Sequence, residues 1–336
     1  MSRITVLGSG AWGTALALSL AAKQDHQVTL WAHRAEAAKS LSKSRENLHF
    51  LPGFRLPDEL RITTDDEQAV AEAEILVCVV PSEFLRLTMD RLVGLMHPGQ
   101  ILVSATKGME DHSFLRMTQV IRLCLVYSGL DLPIGALSGP SFAQEVAAGM
   151  PTAVTIAFPE SAVAAKIQRE FSSSSLRLYT NEDVIGVEMG GALKNVIAIA
   201  AGVLAGLGLG SNSAAGLITR GIAEMTRLAV AAGGRRETLV GLSGVGDLVL
   251  TCTGSLSRNR TVGFELGRGR KLGEILTSLD GKVAEGVRTT RAALGLARKL
   301  GVEMPITEQM GRILDQGRDP KEAIRDLMLR PSRDED

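Results

Sequence analysis

The sequence has few of the residues that mark nucleic-acid binding. Aromatic residues make up only 4% of the 336 residues, and Lys plus Arg equals Asp plus Glu, at 37 each. Aromatic platforms on which bases stack are therefore not expected, and neither is a strongly basic surface for a phosphate backbone. The same balance argues against electrostatic attraction to an acidic membrane. We predict no nucleic-acid partner.

Cysteines and histidines are also scarce. Cys78, Cys124 and Cys252 form no C-x-x-C pair and lie among apolar neighbours, so we expect buried, reduced thiols in a cytoplasmic protein. The five histidines show no ligand-like spacing, and we predict no metal site. A P-loop lysine signature and a G-x-S-x-G nucleophile elbow are missing as well.

Long apolar runs are rare. The N-terminus lacks a basic region followed by a long apolar stretch, so no signal peptide is predicted. The longest uncharged apolar run, 196–210, is short and rich in glycine, which favours a buried helix over a membrane span. Its glycines, Gly202, Gly206 and Gly210, have the spacing of close helix packing, either in the core or in a homodimer contact.

The most informative stretch lies at the start of the chain. The apolar run from Ile4 to Leu7 predicts a buried strand, and a helix-forming segment follows Gly8, Gly10 and Gly13. In a dinucleotide-binding turn, the first glycine allows a tight turn, the second lets the backbone approach a pyrophosphate, and the third allows close helix packing. Free N–H groups at the helix start attract phosphate. A purely structural glycine turn is the alternative.

The residues after the second predicted strand bear on the choice of cofactor. An NAD-type site is expected to have an acidic residue about 20 positions beyond the glycines. Here His33 and Arg34 occupy that place, and Glu36 comes two residues later. Because arginine accepts a 2′-phosphate, we predict that NADPH is used at least as well as NADH. The alternative is that both residues lie in a solvated loop.

Apolar periodicity divides the chain into two parts. We predict about eight strands before residue 180, with those at 153–157 and 176–179 at the edge of the sheet, and a loop over 47–60. After 181 only helical periodicity is convincing, beginning with one long helix over 183–207. The expected fold is α/β, with a strand-helix domain over 1–180, an all-helical domain over 181–331 and a frayed tail over 332–336. A cleft between the two domains is the expected site.

Lys194 is the most suggestive side chain of the second part. It lies on a helix among apolar and small residues, one turn after Gly190 and Gly191. Paired glycines reduce helix stability, which would be justified if a nicotinamide or substrate had to approach the backbone. A lysine there would be partly desolvated, with a lowered pKa suited to proton transfer. A lysine at a helix edge, with glycines that serve packing, is an equally good interpretation.

Other charged residues follow predicted strands or begin helices. Lys107 lies just beyond the carboxyl end of a strand, where open α/β sheets bind ligands. Asp247 follows two glycines and either caps a helix or points into the cleft. Arg258 with Asn259 offers donors of the kind that bind phosphate. Each is also compatible with a solvated loop or an ordinary helix start, and spacing alone does not assign Glu285.

Seven stretches together resemble the bacterial-type NAD(P)-dependent glycerol-3-phosphate dehydrogenases, in order and over nearly the whole chain. They are 8–15 (GSGAWGTA), 105–108 (ATKG), 138–143 (SGPSFA), 190–195 (GGALKN), 244–248 (GVGDL), 257–260 (SRNR) and 283–286 (VAEG). The resemblance implies a Rossmann-type domain followed by a helical domain. It also implies a cytoplasmic enzyme that converts dihydroxyacetone phosphate and sn-glycerol 3-phosphate reversibly, for phospholipid synthesis.

The resemblance also implies roles for individual residues. The proton donor and acceptor falls on Lys194. Substrate contacts fall on Lys107, Gly139, Ser141, Lys194, Asp247, Ser257, Arg258 and Asn259. Cofactor contacts fall on Gly8, Gly10, Ala11, Trp12, Gly13, His33, Arg34, Lys107, Ala143, Arg258, Val283 and Glu285. Two positions depart from the family pattern. Ala11 replaces a frequent serine, which removes a hydroxyl contact, and Trp12 replaces a tyrosine or phenylalanine.

Two other classes of function stay open. A related dehydrogenase would act on an unphosphorylated substrate such as a β-hydroxyacid and would not depend on Arg258. A non-catalytic nucleotide sensor on the same fold would bind cofactor without turnover and would tolerate replacement of Lys194.

Overall fold

The computed structural model describes residues 2–279, 283–332 and 334–335. Strands and helices alternate up to residue 181, and the part described beyond it contains helices without strands. The strands are β1 (Ser2–Leu7), β2 (His26–Trp31), β3 (Glu46–Asn47), β4 (Leu51–Arg55), β5 (Arg61–Thr63), β6 (Ile75–Cys78), β7 (Ile101–Ser104), β8 (Ile134–Ser138), β9 (Thr152–Ala157) and β10 (Leu176–Asn181).

The α/β architecture and the helical second part confirm the predicted fold class. In the first part the helices are α1 (Ala11–Ala21), α2 (Ala35–Ser44), α3 (Asp66–Val70), α4 (Leu85–Leu92), α5 (Met117–Tyr127), α6 (Ala143–Ala147) and α7 (Ser161–Phe171). Those that follow are α8 (Val184–Gly206), α9 (Ser211–Ala231), α10 (Arg236–Leu239), α11 (Asp247–Thr253), α12 (Arg258–Gly267), α13 (Leu272–Ser278), α14 (Glu285–Leu300), α15 (Pro305–Gln316) and α16 (Pro320–Met328). Short 3₁₀ turns at Ser82–Phe84 and Val93–Leu95 flank α4, and a π-helical turn at Leu242–Gly246 precedes α11.

Eight of the described strands form one sheet in the order β10-β9-β8-β7-β6-β1-β2-β5. Described neighbours run parallel except β8 and β9, which are antiparallel. Alternate residues of β1 enter two different cores: Ile4 and Val6 pack with α1 and α7, and Leu7 packs with α4 and α5. Both faces of the sheet are thus covered, as a nearly continuous apolar strand predicts.

Two predictions about the first part are wrong. The strand at 153–157 is not at an edge, because β9 lies between β8 and β10. The segment 47–60 is not only loop, because β3 and β4 form an antiparallel ribbon there, and β5 follows as an edge strand. A two-stranded ribbon tolerates the Pro52 and Gly53 that indicate a loop.

Helix α8 is the central helix of the second part. The Asp183 side chain caps it by accepting from the Gly186 N–H at 2.8 Å. Helices α9, α11, α12 and α14 pack around it. A Cβ at Gly202 would overlap the Arg260 carbonyl group, and one at Gly263 would overlap that of Ile199. These glycines therefore let α8 and α12 pack at close range within the chain.

The cysteine and membrane predictions can be compared with these cores. Cys78, Cys124 and Cys252 are buried and free, as predicted. Among the described residues, α8 is long and apolar enough to cross a membrane, but 89% of its most apolar window is buried inside the protein. That burial is typical of a core helix. The tail predicted to fray, 332–336, includes Arg333 and Asp336, which lie outside the described residues.

The segment after β7 joins the sheet to the helical core. Residues Met109 and Arg116 form an isolated antiparallel bridge, and Met109 and Phe114 pack into the core around α8. The ring of Phe114, a residue with φ of 60°, fills the space beside Gly295 of α14. Behind the bridge, the Glu188 carboxylate of α8 forms an ion pair with Arg116 and accepts from the Thr118 N–H at 2.8 Å. The strand end that carries Lys107 is thereby fixed against the second part.

Candidate functional site

The turn after β1 has the geometry of a phosphate-binding cradle. Gly8 has φ of 125°, a conformation that favours glycine. A Cβ at Gly13 would overlap the Gly8 carbonyl oxygen, whereas one at Gly10 would meet nothing within 4 Å. The first helical hydrogen bond runs from Thr14 N to Gly10 O, at 2.9 Å. The N–H groups before Thr14 therefore make no helical hydrogen bond, and the space beside Gly10 is open, which together fit the pyrophosphate of a dinucleotide.

The turn lies at the point where the order of the strands along the sheet reverses. Strand β1 pairs with β2 on one side and with β6 on the other, and it is parallel to both. Ligands of open α/β sheets bind at such a switch point, beyond the carboxyl ends of the strands. The predicted residues Lys107 and Gly139 follow β7 and β8, so they lie beyond the same edge.

Lys107 and Lys194 meet at one carboxylate. Asp247, the first residue of α11, forms an ion pair through Oδ2 with Lys107 Nζ at 2.7 Å and through Oδ1 with Lys194 Nζ. The Asp247 side chain is only 1% exposed. The lysines come from the sheet and from α8, so the carboxylate joins the two parts of the chain.

The two lysines differ in how many of their protons are engaged. Lys107 donates to Asp247, to the Gly139 carbonyl at 2.9 Å and, at 3.5 Å, to the Ser141 hydroxyl. Lys194 donates to Asp247 and, at 2.9 Å, to the Thr251 hydroxyl. An ammonium group has three N–H donors, so Lys194 keeps one N–H without an acceptor among the described residues. Lys194 is therefore the better placed of the two to act on a ligand.

Thr251 fixes the direction of its hydrogen bond with Lys194. Its Oγ1 donates to the Asp247 carbonyl oxygen at 2.6 Å, four residues earlier in α11. Because its own proton is engaged, the hydroxyl oxygen accepts the hydrogen bond from the Lys194 ammonium group through a lone pair. The sequence reasoning missed Thr251. The signal was its spacing of four residues from Asp247, which places both side chains on one face of a helix.

Burial changes the protonation of Lys194. The side chain is 7% exposed, and desolvation lowers its pKa from 10.5 to about 8, with Lys107 adding to that shift and Asp247 opposing it. This is the direction predicted for a lysine suited to proton transfer. A lysine with a pKa near 8 can both hold and release a proton close to neutral pH.

Gly190 and Gly191 do not open the backbone to a ligand. A Cβ at Gly190 would overlap the Ser243 carbonyl oxygen of the π-helical turn, and one at Gly191 would overlap the Ser138 hydroxyl. The interpretation that these glycines admit a nicotinamide is therefore wrong. Of the alternative, the packing role of the glycines is correct, but Lys194 is buried and does not lie at a helix edge. The glycines let α8 approach β8 and the turn that precedes Asp247.

Asn259 links three helices beside Lys194. Its Nδ2 donates to Asn195 Oδ1 at 3.0 Å, and its Oδ1 accepts from the Gly286 N–H of α14 at 2.9 Å. Asn195, which the sequence reasoning also missed, is the residue after Lys194. These two bonds bring the start of α12 next to the lysine and orient Asn259.

Arg258 is placed differently from its neighbours. The residue is exposed overall, but the surrounding atoms partly desolvate its guanidinium group and lower the pKa of that group, an effect that the nearby Glu285 carboxylate opposes. Its side chain forms no hydrogen bond or ion pair with any described residue. Ser257 is buried and caps α12 by accepting from the Arg260 N–H at 3.2 Å. Arg258 thus offers its donors to a ligand.

Glu285 connects α14 to the sheet. Its carboxylate accepts from the Ser82 N–H at 3.2 Å and from the Ser82 hydroxyl at 2.6 Å. Desolvation raises the pKa of Glu285, and the bonds from Ser82 oppose this. Ser82, four residues beyond β6, was not predicted as a site residue. Val283 is half-buried and lies two residues before Glu285.

The remaining predicted cofactor residues surround the glycine turn. Trp12 packs against the small core of Ala15, Leu51 and Val146, as Ala143 also does, and its buried indole N–H has no partner among the described residues. Arg34 precedes α2, is exposed and has no side-chain partner within the described chain. His33 contacts Arg91, a residue of α4, through Nδ1 at 3.2 Å. Among the described residues, no group of three metal-ligating side chains could hold a metal ion.

Comparisons with known proteins agree with this geometry. The family model described as NAD-dependent glycerol-3-phosphate dehydrogenase N-terminus matches residues 3–164, and that described as its C-terminus matches 183–325. A protein of Acidobacterium capsulatum named glycerol-3-phosphate dehydrogenase (NAD(P)+) is 60% identical, with all of both chains covered. One of Koribacter versatilis with the same name is 54% identical over 99% of this chain and 98% of that one. The crystal structure of glycerol-3-phosphate dehydrogenase from Coxiella burnetii superimposes with a TM-score of 0.93 at 38% identity, covering 98% of this chain and 99% of the other.

Proposed function

Because the chain belongs to the family of NAD-dependent glycerol-3-phosphate dehydrogenases, we propose that Lys194 is the proton donor and acceptor of an NAD(P)-dependent glycerol-3-phosphate dehydrogenase. The reaction interconverts dihydroxyacetone phosphate and sn-glycerol 3-phosphate, and it supplies phospholipid synthesis in the cytoplasm. The observation that carries the assignment of Lys194 is its contact with Asp247 and Thr251, which leaves one N–H without an acceptor among the described residues.

The cofactor is assigned to the turn after β1 and to the residues around it. The backbone at Gly8, Gly10 and Gly13 would hold the pyrophosphate, because the space beside Gly10 is open and the N–H groups at the start of α1 make no helical hydrogen bond. Residues Ala11, Trp12, His33, Arg34, Ala143, Val283 and Glu285 complete the proposed cofactor site. When bound, the reduced cofactor supplies a hydride to the carbonyl carbon of the substrate.

Lys194 is proposed to stabilise the charge that develops on the substrate oxygen. Its ammonium group would donate the unengaged N–H to the carbonyl oxygen, stabilise the negative charge and then supply the proton. In the oxidation direction, neutral Lys194 would remove the hydroxyl proton. Asp247 and Thr251 hold the Nζ atom in place throughout. Lys107, whose protons are engaged by Asp247, Gly139 and Ser141, adds positive charge to the site.

The phosphate of the substrate is assigned to Arg258. Its guanidinium group has no partner among the described residues and lies at the start of α12, where Asn259 links that helix to Asn195, next to Lys194. Ser257 and Asn259 are the further proposed contacts. Binding energy from the phosphate would position the carbonyl against Lys194. An unphosphorylated substrate lacks that energy.

The test follows the loss of NADPH absorbance, and separately of NADH, with dihydroxyacetone phosphate and with dihydroxyacetone. We expect rapid oxidation only with the phosphate ester. Equal rates with both substrates would remove the role of Arg258. Cofactor binding without oxidation of any substrate would contradict the dehydrogenase assignment and favour a nucleotide sensor.

A further inference from the structure

Four side chains form a connected cluster at the carboxyl end of β2. Trp31, the last residue of β2, donates its indole N–H to Asp66 Oδ1 at 3.0 Å. Arg91 of α4 donates to the same carboxylate twice, from Nε at 2.5 Å and from NH2 at 2.8 Å, and its guanidinium lies 5.4 Å from the Trp31 ring centroid. Its remaining nitrogen, NH1, contacts His33 Nδ1 at 3.2 Å. The cluster therefore runs from the sheet to His33.

The contact between Arg91 and His33 determines the tautomer of the histidine. A guanidinium group can only donate, so Nδ1 must accept, and the ring proton is then on Nε2. Nε2 has no acceptor among the described residues. Arg91 thus orients the ring and leaves Nε2–H as an unengaged donor. It also leaves one N–H on its own NH1.

Arg91 also compensates an adverse charge. Asp66, the first residue of α3, has a side chain that is 23% exposed, close to where His33 and Arg34 follow β2. An uncompensated carboxylate there would repel an anion. The two bonds from Arg91 compensate this charge with a planar, permanently charged partner, which a lysine would match less well.

We propose that Arg91 is a specificity-determining residue for the 2′-phosphate of NADPH. It compensates Asp66, orients His33 with Nε2–H free and, with Arg34, makes the end of β2 a site for a dianionic phosphate on ribose. The proposal rests on the proposed function, because it assumes that the adenosine ribose lies beyond β2, as in dinucleotide-binding sheets. Arg91 was not among the predicted site residues, because it lies about 60 positions after His33 in the sequence.

The direct test uses cofactor fragments on the enzyme without cofactor. Adenosine 2′,5′-bisphosphate and adenosine 5′-monophosphate differ only by the 2′-phosphate, and their affinities are measured by calorimetry. We expect Arg91→Gln to weaken binding of the bisphosphate about tenfold and to leave the monophosphate unchanged, as loss of a charge-assisted contact predicts. The ratio of kcat/KM for NADPH to that for NADH should fall by a similar factor.

Two further variants keep the test decisive. Arg91→Lys keeps a charge but not the fork, so it should lose part of the 2′-phosphate preference, and it replaces the glutamine variant if that one does not fold. Arg122→Gln, which removes an exposed arginine of α5 paired with Asp131 at 2.6 Å, is the matched control and should change neither affinity. Equal weakening of both fragments by the Arg91 variants, or no weakening, would overturn the proposal. Fragment binding requires no substrate turnover, so this outcome is separate from failure of the dehydrogenase assignment.

Discussion

The glycine turn and the lysine cluster are two regions of one site, built in opposite ways. The turn uses backbone N–H groups and open space beside Gly10, without a side-chain cap. The cluster uses charged side chains that are nearly buried and that already satisfy one another through Asp247. A turn of this kind, built from backbone, binds a ligand because the ligand fits the open space beside it. Burial of the cluster lowers the pKa of Lys194, although Asp247 opposes this shift, and the lysine can therefore transfer a proton near neutral pH.

The largest effect is expected from removing the lysine alone. Lys194→Ala should lower kcat by about two to four orders of magnitude, because proton donation and charge stabilisation are both lost. Binding of NADPH, measured by fluorescence titration, should stay within about twofold, since the glycine turn is untouched. Lys299→Ala, at an exposed position of α14, is the control. Near-normal turnover in Lys194→Ala would remove this residue from the mechanism.

The second prediction tests how the cluster sets the protonation of Lys194. In the reduction direction Lys194 must carry a proton, so the rate should fall as the pH rises past the pKa of about 8. In the oxidation direction the rate should rise over the same range. Asp247→Asn removes the carboxylate that raises this pKa, so the fall in the reduction rate and the rise in the oxidation rate should both move to lower pH. We also expect kcat to fall about tenfold or more.

The pH profiles of kcat in both directions check this prediction. Lys194→Arg is the matched control, because arginine keeps its proton throughout the range. Any residual activity of this variant should not change with pH around 8. A pH dependence that stays in place in Asp247→Asn would contradict the role of the carboxylate. Thermal unfolding of the variant is measured beside the kinetics, since removal of one partner of a buried ion pair also destabilises proteins.

The third prediction distinguishes a glycine of the turn that the fold requires from one that cofactor binding requires. Gly13→Ala should destabilise the protein by about 1–3 kcal/mol, because its Cβ would overlap the Gly8 carbonyl oxygen. Gly10→Ala has room, so stability should change by less than about 1 kcal/mol. The methyl group would nevertheless lie where the cofactor approaches, and the KM for NADPH should rise about tenfold. Denaturant unfolding and kinetics distinguish the two variants, and an unchanged KM in Gly10→Ala would place the pyrophosphate elsewhere.

The smallest effect is expected at the rim of the cofactor site. Arg34→Ala should lower the ratio of kcat/KM for NADPH to that for NADH several-fold, because one charge near the 2′-phosphate is lost. Since the side chain is exposed and has no partner within the described residues, stability should not change. Steady-state kinetics with both cofactors measure the ratio, and an unchanged ratio would exclude Arg34 as a contact.

The same contrast explains what the sequence could predict. The glycines of the turn lie within six positions of one another, so their spacing identified the turn, strand β1 and helix α1. Asp247 and its two lysines are separated by 53 and 140 positions. Spacing did not join them, and their roles came only from resemblance to a family. The spacing of Thr251 from Asp247 places both on one helix face, but the contacts of Thr251 with Lys194 and of Arg91 with His33 depend on how helices pack.

Errors in the fold have similar causes. The position of β9 inside the sheet depends on which strands pair, and local alternation does not contain that information. Ligand approach and packing were equally good interpretations of Gly190 and Gly191, because the turn that packs against Gly190 comes about 50 positions later. The domain boundary at 180 and 181 stays a prediction. Met109 and Phe114 of the first part pack into the core of the second, so the two parts share their packing.

Helix α8 has a consequence for the synthesis of the protein. The helices that cover it all follow it in the chain, and α14 begins about 80 residues after α8 ends. At roughly 5–20 residues per second, a ribosome needs several seconds to complete that distance. During that time, the 23 mostly apolar residues of α8 lack the helices that cover them, although β8 and Met109, which also pack against α8, are already made. We expect chaperones that bind nascent apolar segments, or a delayed collapse of this region, to protect the helix on which Lys194 lies until α14 is made.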